Sequence, residues 1–163
     1  MEPTPFLPDE ATIEKMRAIG LRLDRDGTFW QEGAAVTHAR LRQALLRWLD
    51  VRDDGRDIIK LDDKRYAYVD VEDAHLRARS AHWVGQARVD ARCMILWDDD
   101  QEAELEYGSL RQAPDHALYA TVRRLRGRIA GPAYHAVAEH IVEANGGFVL
   151  EAVGQRWPIA NAA

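Results

Sequence analysis

The sequence predicts an α+β fold, mostly antiparallel, with two main helices and a short N-terminal one. Three observations carry that prediction. Short apolar runs alternate with polar residues and are separated by Asp-Gly, Glu-Gly and Asp-Asp-Asp turn signals. Two longer segments carry apolar residues at helical spacing. The order strand, turn, helix, hairpin occurs in each half of the chain.

The elements follow in order. Residues 1–7, with Pro3 and Pro5, read as a lead-in. Pro8-Asp9-Glu10 opens a short helix that Asp9 caps, with Ile13, Met16 and Ile19 as its apolar stripe and Gly20 as its end. Leu21-Arg22-Leu23 alternates as a strand does, Asp26-Gly27 turns, and Thr28-Phe29-Trp30 returns. A second turn at Glu32-Gly33 leads through Val36 to Thr37, the expected cap of the first main helix. Leu41, Leu45, Trp48 and Leu49 share one face of that helix. Asp53-Asp54-Gly55 ends it. Ile58–Leu61 and Tyr66–Val69 then read as a hairpin, and residues 70–73 as its exit loop.

From about His82 to Tyr107 the pattern is β-like. Asp98-Asp99-Asp100 supplies the turn and predicts a register that sets Arg92 opposite Glu106 and Cys93 opposite Leu105. Pro114-Asp115 marks a loop. Leu118 to about Leu125 reads as a strand with a turn near Gly127. Gly131-Pro132 starts the second main helix, whose apolar face is Tyr134, Val137, Ala138, Ile141 and Val142, and Asn145-Gly146-Gly147 stops it. Phe148-Val149-Leu150, a turn near Gly154 and Arg156–Ile159 close the chain.

Val36, Trp48, Ile58 and Tyr66 in the first half match Ile129, Ile141, Phe148 and Trp157 in the second. One hairpin and helix cannot cover their own apolar faces, so two similar units are expected to pack through a shared sheet. The expected organisation is residues 1–20 as lead-in and short helix, 21–81 as the first unit, and 82–163 as linker strands with the second unit. Together they make one compact fold.

Composition bounds the function. The 163 residues are 47% hydrophobic and 30% charged, and 22 Lys+Arg against 27 Asp+Glu give a net charge of −5. That excess of acid argues against a nucleic-acid binder and against a polybasic membrane anchor. No run approaches a membrane span and the start lacks the apolar core of a signal peptide, so the cytoplasm is the expected compartment. Cys93, the one cysteine, lies in the apolar run Cys93–Trp97 and reads as a buried structural thiol. No P-loop, dinucleotide fingerprint, nucleophile elbow or His-Glu-x-x-His motif occurs, and no cofactor is expected.

Several side chains qualify as site residues. Asp70, Glu72, Asp73 and His75 offer hard ligands within one loop and are weak candidates for a cation site, the bland reading being a solvated strand exit. Arg124, Arg126 and Arg128 alternate like one strand face and read either as an anion or docking site or as the partner of the Glu102, Glu104, Glu106 stripe on a neighbouring strand. Trp30 and Trp157 lie on hairpins of different repeats and read either as core packing or as candidates to line a ligand cleft.

Asp26-Gly27-Thr28-Phe29-Trp30 with Glu32-Gly33, then Val71-Glu72-Asp73-Ala74, then Tyr119-Ala120-Thr121-Val122-Arg123 leading to Tyr134 and His135, resemble DUF1285, a bacterial family of unknown function. The sequence departs from the family pattern at Ala74-His75-Leu76, where Ala-Pro-Phe would stand. The resemblance implies an α+β fold of repeated motifs, no established enzymatic activity and a suggested role in signalling. The expectation is therefore a non-enzymatic module that binds a small molecule or a protein partner in a regulatory setting. The alternatives are a metal-assisted hydrolase built on the Asp70–His75 loop and a structural homodimer subunit.

Overall fold

The computed structural model describes residues 9–162 and divides the chain into two units, the first ending at Glu72 and the second starting at Asp73. The expected lead-in with Pro3 and Pro5 lies outside the described residues. Helices and mixed sheets make the fold α+β, and no described helix is long and apolar enough to cross a membrane.

In the first unit, α1 (Glu10–Arg17) starts where Asp9 Oδ1 accepts the Thr12 N–H at 2.8 Å. It buries none of its residues, and Met16 of the expected stripe is 66% exposed. β1 (Leu21–Leu23) and β2 (Phe29–Gln31) form the expected hairpin, with Leu23 opposite Phe29. Asp24 holds its turn: Oδ1 accepts the N–H groups of Asp26 and Thr28, and Oδ2 accepts the Trp30 indole N–H at 2.8 Å. β3 (Ala34–Ala35) extends the sheet past Gly33.

α2 (Ala39–Trp48) is capped by His38, not by Thr37 as expected; His38 Nδ1 accepts the Leu41 N–H at 3.3 Å. Its inward residue is Leu46, while Leu41 and Trp48 remain 45% and 38% exposed. Leu49 is buried from β4 (Leu49–Val51), a strand the helical pattern concealed. β5 (Asp57–Lys60) and β6 (Tyr66–Val71) complete a sheet of order β3-β2-β1-β6-β5-β4. β1 and β6 run parallel, a pairing that needs a long crossover, here the segment that includes α2. Leu21, Leu23, Phe29, Leu46, Leu49, Ile58, Ile59 and Val69 form the core, each worth roughly 1.5–3 kcal/mol relative to exposure.

The second unit opens with β7 (Leu76–Val84), a 3₁₀ turn at Arg88–Asp90, and β8 (Arg92–Trp97), which pairs with β9 (Glu102–Glu104) around the three aspartates. Met94 faces Glu104 and Ile95 faces Ala103, the expected register. The ladder ends there, so Arg92 pairs with Glu104 at 3.4 Å instead of with Glu106. Leu105 still donates its N–H to the Cys93 carbonyl at 2.9 Å. Cys93 is fully buried, and burial, with the Glu104 charge, pushes its thiol up to about 12.

β10 (Arg111–Gln112), β11 (Leu118–Val122) and β12 (Leu125–Ile129) follow. The β11–β12 turn is not near Gly127 but at Arg123-Arg124, whose φ values of 46° and 73° give a two-residue hairpin loop without glycine. Gly127 sits inside β12 because the indole of Trp97 covers it.

α3 (Gly131–Ala138) is shorter than the pattern suggests. Ile141 and Val142 belong to β13 (Ile141–Ala144), and Asn145-Gly146 is a hairpin turn into β14 (Gly147–Ala152), not a helix stop. β15 (Gln155–Pro158) and β16 (Ala160–Asn161) close the described chain. The sheets are β16-β10-β11-β12-β7-β8-β9 and β13-β14-β15. The expected antiparallel character therefore has exceptions: β1–β6, β12–β7 and β10–β16 are parallel.

Candidate functional site

The second unit carries a cleft of about 160 Å³ lined by Gln112, Leu118, Tyr134, Ala138, Ile141, Phe148 and Ile159. Its geometry begins at α3. Gly131, at φ 60°, turns the chain, and Pro132 in the first turn has no N–H to leave unsatisfied. Ala133 and Val137 are then buried on the side of α3 that packs against the protein, where β7 is its main neighbour. Tyr134 and Ala138, one position on and four residues apart, share the adjacent side and line the cleft.

β13 and β14 supply Ile141 and Phe148, and Phe148 is 49% exposed. The Phe148 carbonyl accepts the Ile159 N–H at 3.0 Å, which holds the last wall in place. Gln112 is fixed through its backbone, whose carbonyl accepts the Ala162 N–H at 2.8 Å. Among the described residues, the lining offers a carboxamide and a phenol among apolar walls.

The sequence had marked other residues. Arg126 and Arg128 lie on β12, but Arg124 sits in the turn before it. β12 is flanked by β11 and β7, whereas the glutamate stripe begins on β9, beyond β8, so the two stripes do not neutralise each other across adjacent strands. Of the stripe, Arg128 meets aspartates instead. Arg128 donates to Asp115 at 2.9 Å and to the Tyr119 hydroxyl at 2.6 Å, and that hydroxyl donates to Asp73. Arg123 pairs with the buried Asp99 at 2.6 Å. The Arg128 hydrogen bond and the Ala117 N–H hold the Asp115 carboxyl below its ordinary range. Burial, followed by the Asp73 hydrogen bond, pushes the Tyr119 phenol up.

Trp30 and Trp157 belong to different units, and each is engaged within its own. Trp30 donates to Asp24, with the Arg22 guanidinium 5.5 Å from its ring. Trp157 stacks on Tyr107 at 5.6 Å and donates to the Ala152 carbonyl at 3.1 Å.

The Asp70–His75 segment is likewise taken up piecemeal. Asp70 is exposed on β6 and faces Arg22 across the ladder. Glu72 accepts from the Arg25 N–H and from Arg22. Asp73 accepts from Tyr119, and His75 is fully buried with Nδ1 accepting the Arg126 N–H at 2.8 Å. Among the described residues no group of three or more His, Cys, Asp or Glu is arranged to hold a metal ion.

By spacing alone Tyr134, Ala138 and Ile141 belong to the apolar face of a helix and Phe148 to a closing strand, so nothing local marks them as a site. One signal did exist: Ala133 and Val137 beside Tyr134 and Ala138 make the short helix apolar on two sides, and such a helix needs two apolar neighbours.

No family model matches the chain, and no curated protein does. Solved structures do. A DUF1285 family protein from Silicibacter pomeroyi DSS-3 superposes with a TM-score of 0.73 at 21% identity, over 88% of this chain and 81% of that one. A second, from Shewanella baltica OS155, gives 0.55 at 15% identity, over 73% and 90%. The chain thus resembles the DUF1285 family in fold, as the sequence motifs had implied.

Proposed function

We propose that the protein is a non-enzymatic binding module and that the cleft beside α3 takes a small, largely apolar ligand with one polar group, in a regulatory setting. The observation that supports this reading is the cleft itself. Its volume of about 160 Å³ is close to that of a cavity known to admit a benzene-sized molecule, roughly 150 Å³. Leu118, Ile141, Phe148 and Ile159 supply apolar contact, while the Gln112 carboxamide and Tyr134 phenol orient a polar substituent.

The test uses phenol and benzamide as probes, followed by thermal shift and by amide chemical shifts of the full chain. Saturable perturbations centred on α3, β13 and β14 are expected. Ala138→Trp fills the cleft from α3 and should abolish them while leaving the melting temperature of the free protein within a few degrees. Undiminished binding in that variant, or no saturable response from the parent protein at millimolar probe, would refute the proposal.

A further inference from the structure

In the first unit, two tyrosine rings and three guanidinium groups gather around one carboxylate. Tyr66 and Tyr68 stand two residues apart on β6 and therefore on one face, with ring centroids 6.0 Å apart. Three guanidinium groups lie over these rings. Arg17 of α1 is 3.9 Å from the Tyr66 centroid and Arg56 is 3.4 Å from that of Tyr68. Arg52 reaches both, at 5.2 and 5.7 Å. Cation–π attraction of this kind fixes where the positive charges sit. Arg52 and Arg56 flank the β4–β5 turn and are tied by the Arg52 N–H to Arg56 carbonyl bond at 2.9 Å.

At the focus of this group is the carboxylate of Glu14. It accepts the Tyr68 hydroxyl at 2.6 Å and lies 3.2 Å from Arg17 and 3.9 Å from each of Arg52 and Arg56. A single carboxylate bears one charge and two oxygens, and two of the three guanidinium groups lie beyond hydrogen-bond reach of it, Arg52 donating to the Tyr68 hydroxyl instead. Among the described residues Asp54, 3.7 Å from Arg52, is the further acid that meets the group, so three cations there face two anions. A phosphate monoester brings nearly two charges and three acceptor oxygens, which matches this donor set better. Glu14 is 45% exposed on a helix with no buried residue, so rotation of its side chain is enough to vacate the seat.

We propose that Arg17, Arg52, Arg56 and Tyr68 form a receptor for a phosphate dianion, esterified or free, and that Glu14 occupies it as an internal competitor. Unlike the apolar cleft of the second unit, this site selects for charge, and neither reading depends on the other.

Inorganic phosphate and phenyl phosphate are titrated into the full chain at ionic strength matched with sodium chloride. Guanidinium and amide resonances of Arg17, Arg52 and Arg56 are followed together with the Glu14 carboxylate carbon. Binding should move these signals saturably and displace the Glu14 carbon toward its solvated position. Glu14→Gln keeps a hydrogen-bond acceptor but removes the competing charge, and should tighten phosphate binding about two- to fivefold. Arg56→Gln, at a half-exposed position, should weaken it by a similar factor while the fold is unchanged by circular dichroism. Preference for phenyl phosphate over inorganic phosphate identifies an esterified ligand, and the reverse a free one. Equal phosphate affinity in the parent and Glu14→Gln proteins, or shifts that sodium chloride alone reproduces, would overturn the proposal.

Discussion

Gly127 offers the sharpest test of how the second unit is packed. It lies in β12 with ordinary strand backbone, so alanine there meets no conformational objection. The objection is spatial. A Cβ at this position would stand 2.3, 2.5 and 3.1 Å from Cη2, Cζ3 and Cζ2 of Trp97. Carbon atoms in contact prefer roughly 3.5–4.0 Å, so the overlap exceeds about 1 Å. Trp97 is 2% exposed, and its rigid indole has no solvent to swing into. Either the strand or the ring must move, and overpacking of this kind costs ~1–3 kcal/mol. For a chain of this length that corresponds to a fall in Tm of about 3–10 °C. The assay is urea and thermal unfolding of Gly127→Ala, Trp97→Phe and the double variant, followed by near-ultraviolet circular dichroism. The smaller ring should relieve the clash, leaving the double variant more stable than the sum of the single effects by about 1 kcal/mol or more. A Gly127→Ala protein that melts with the parent, or strict additivity with Trp97→Phe, would refute the argument.

Two further outcomes follow from buried and hydrogen-bonded groups. Because Cys93 is fully buried and its thiol is pushed up to about 12, a disulfide reagent at pH 8 should leave the native protein unlabelled and react with one thiol per chain in urea. Rapid stoichiometric labelling without denaturant would contradict this. At Asp24, burial works to raise the carboxyl, but the Trp30, Thr28 and Asp26 donors together hold it below 3.8. Its stabilising effect is therefore complete above about that pH and is lost as the pH falls through the lower native-state value. Asp24→Asn should accordingly be less stable than the parent at pH 6, with the gap closing in strong acid. A gap that widens on acidification would reverse the sign of the argument.

Local chemistry was legible wherever a turn residue or an alternation decided the outcome. Asp26-Gly27 set the first hairpin, and the three aspartates set the β8–β9 register down to Ile95 facing Ala103. Legibility failed where the deciding partner was distant or the turn chemistry unusual. The Arg123-Arg124 loop adopts positive φ without glycine, so nothing in the sequence announced it, and the visible glycine nearby, Gly127, answers instead to an indole some thirty residues earlier. Asn145-Gly146 was visible but was read as the end of a helix, because Ile141 and Val142 fit a helical face as well as they fit a strand. The arginine stripe fared likewise: alternation put Arg126 and Arg128 on one face, but strand order set β9 beyond β7 and β8, out of reach of β12, and Arg128 meets Asp115 and Asp73 instead.

What the sequence determined by itself is the α+β character, the position of most turns and the burial of Cys93, all of which follow from spacing over a few residues. Tertiary structure decided the parallel joins β1–β6, β12–β7 and β10–β16, the cleft beside α3 and the gathering of three arginines around Glu14. Those depend on which strands become neighbours, and neighbour choice is set by how whole apolar faces are shared out among elements far apart in the chain.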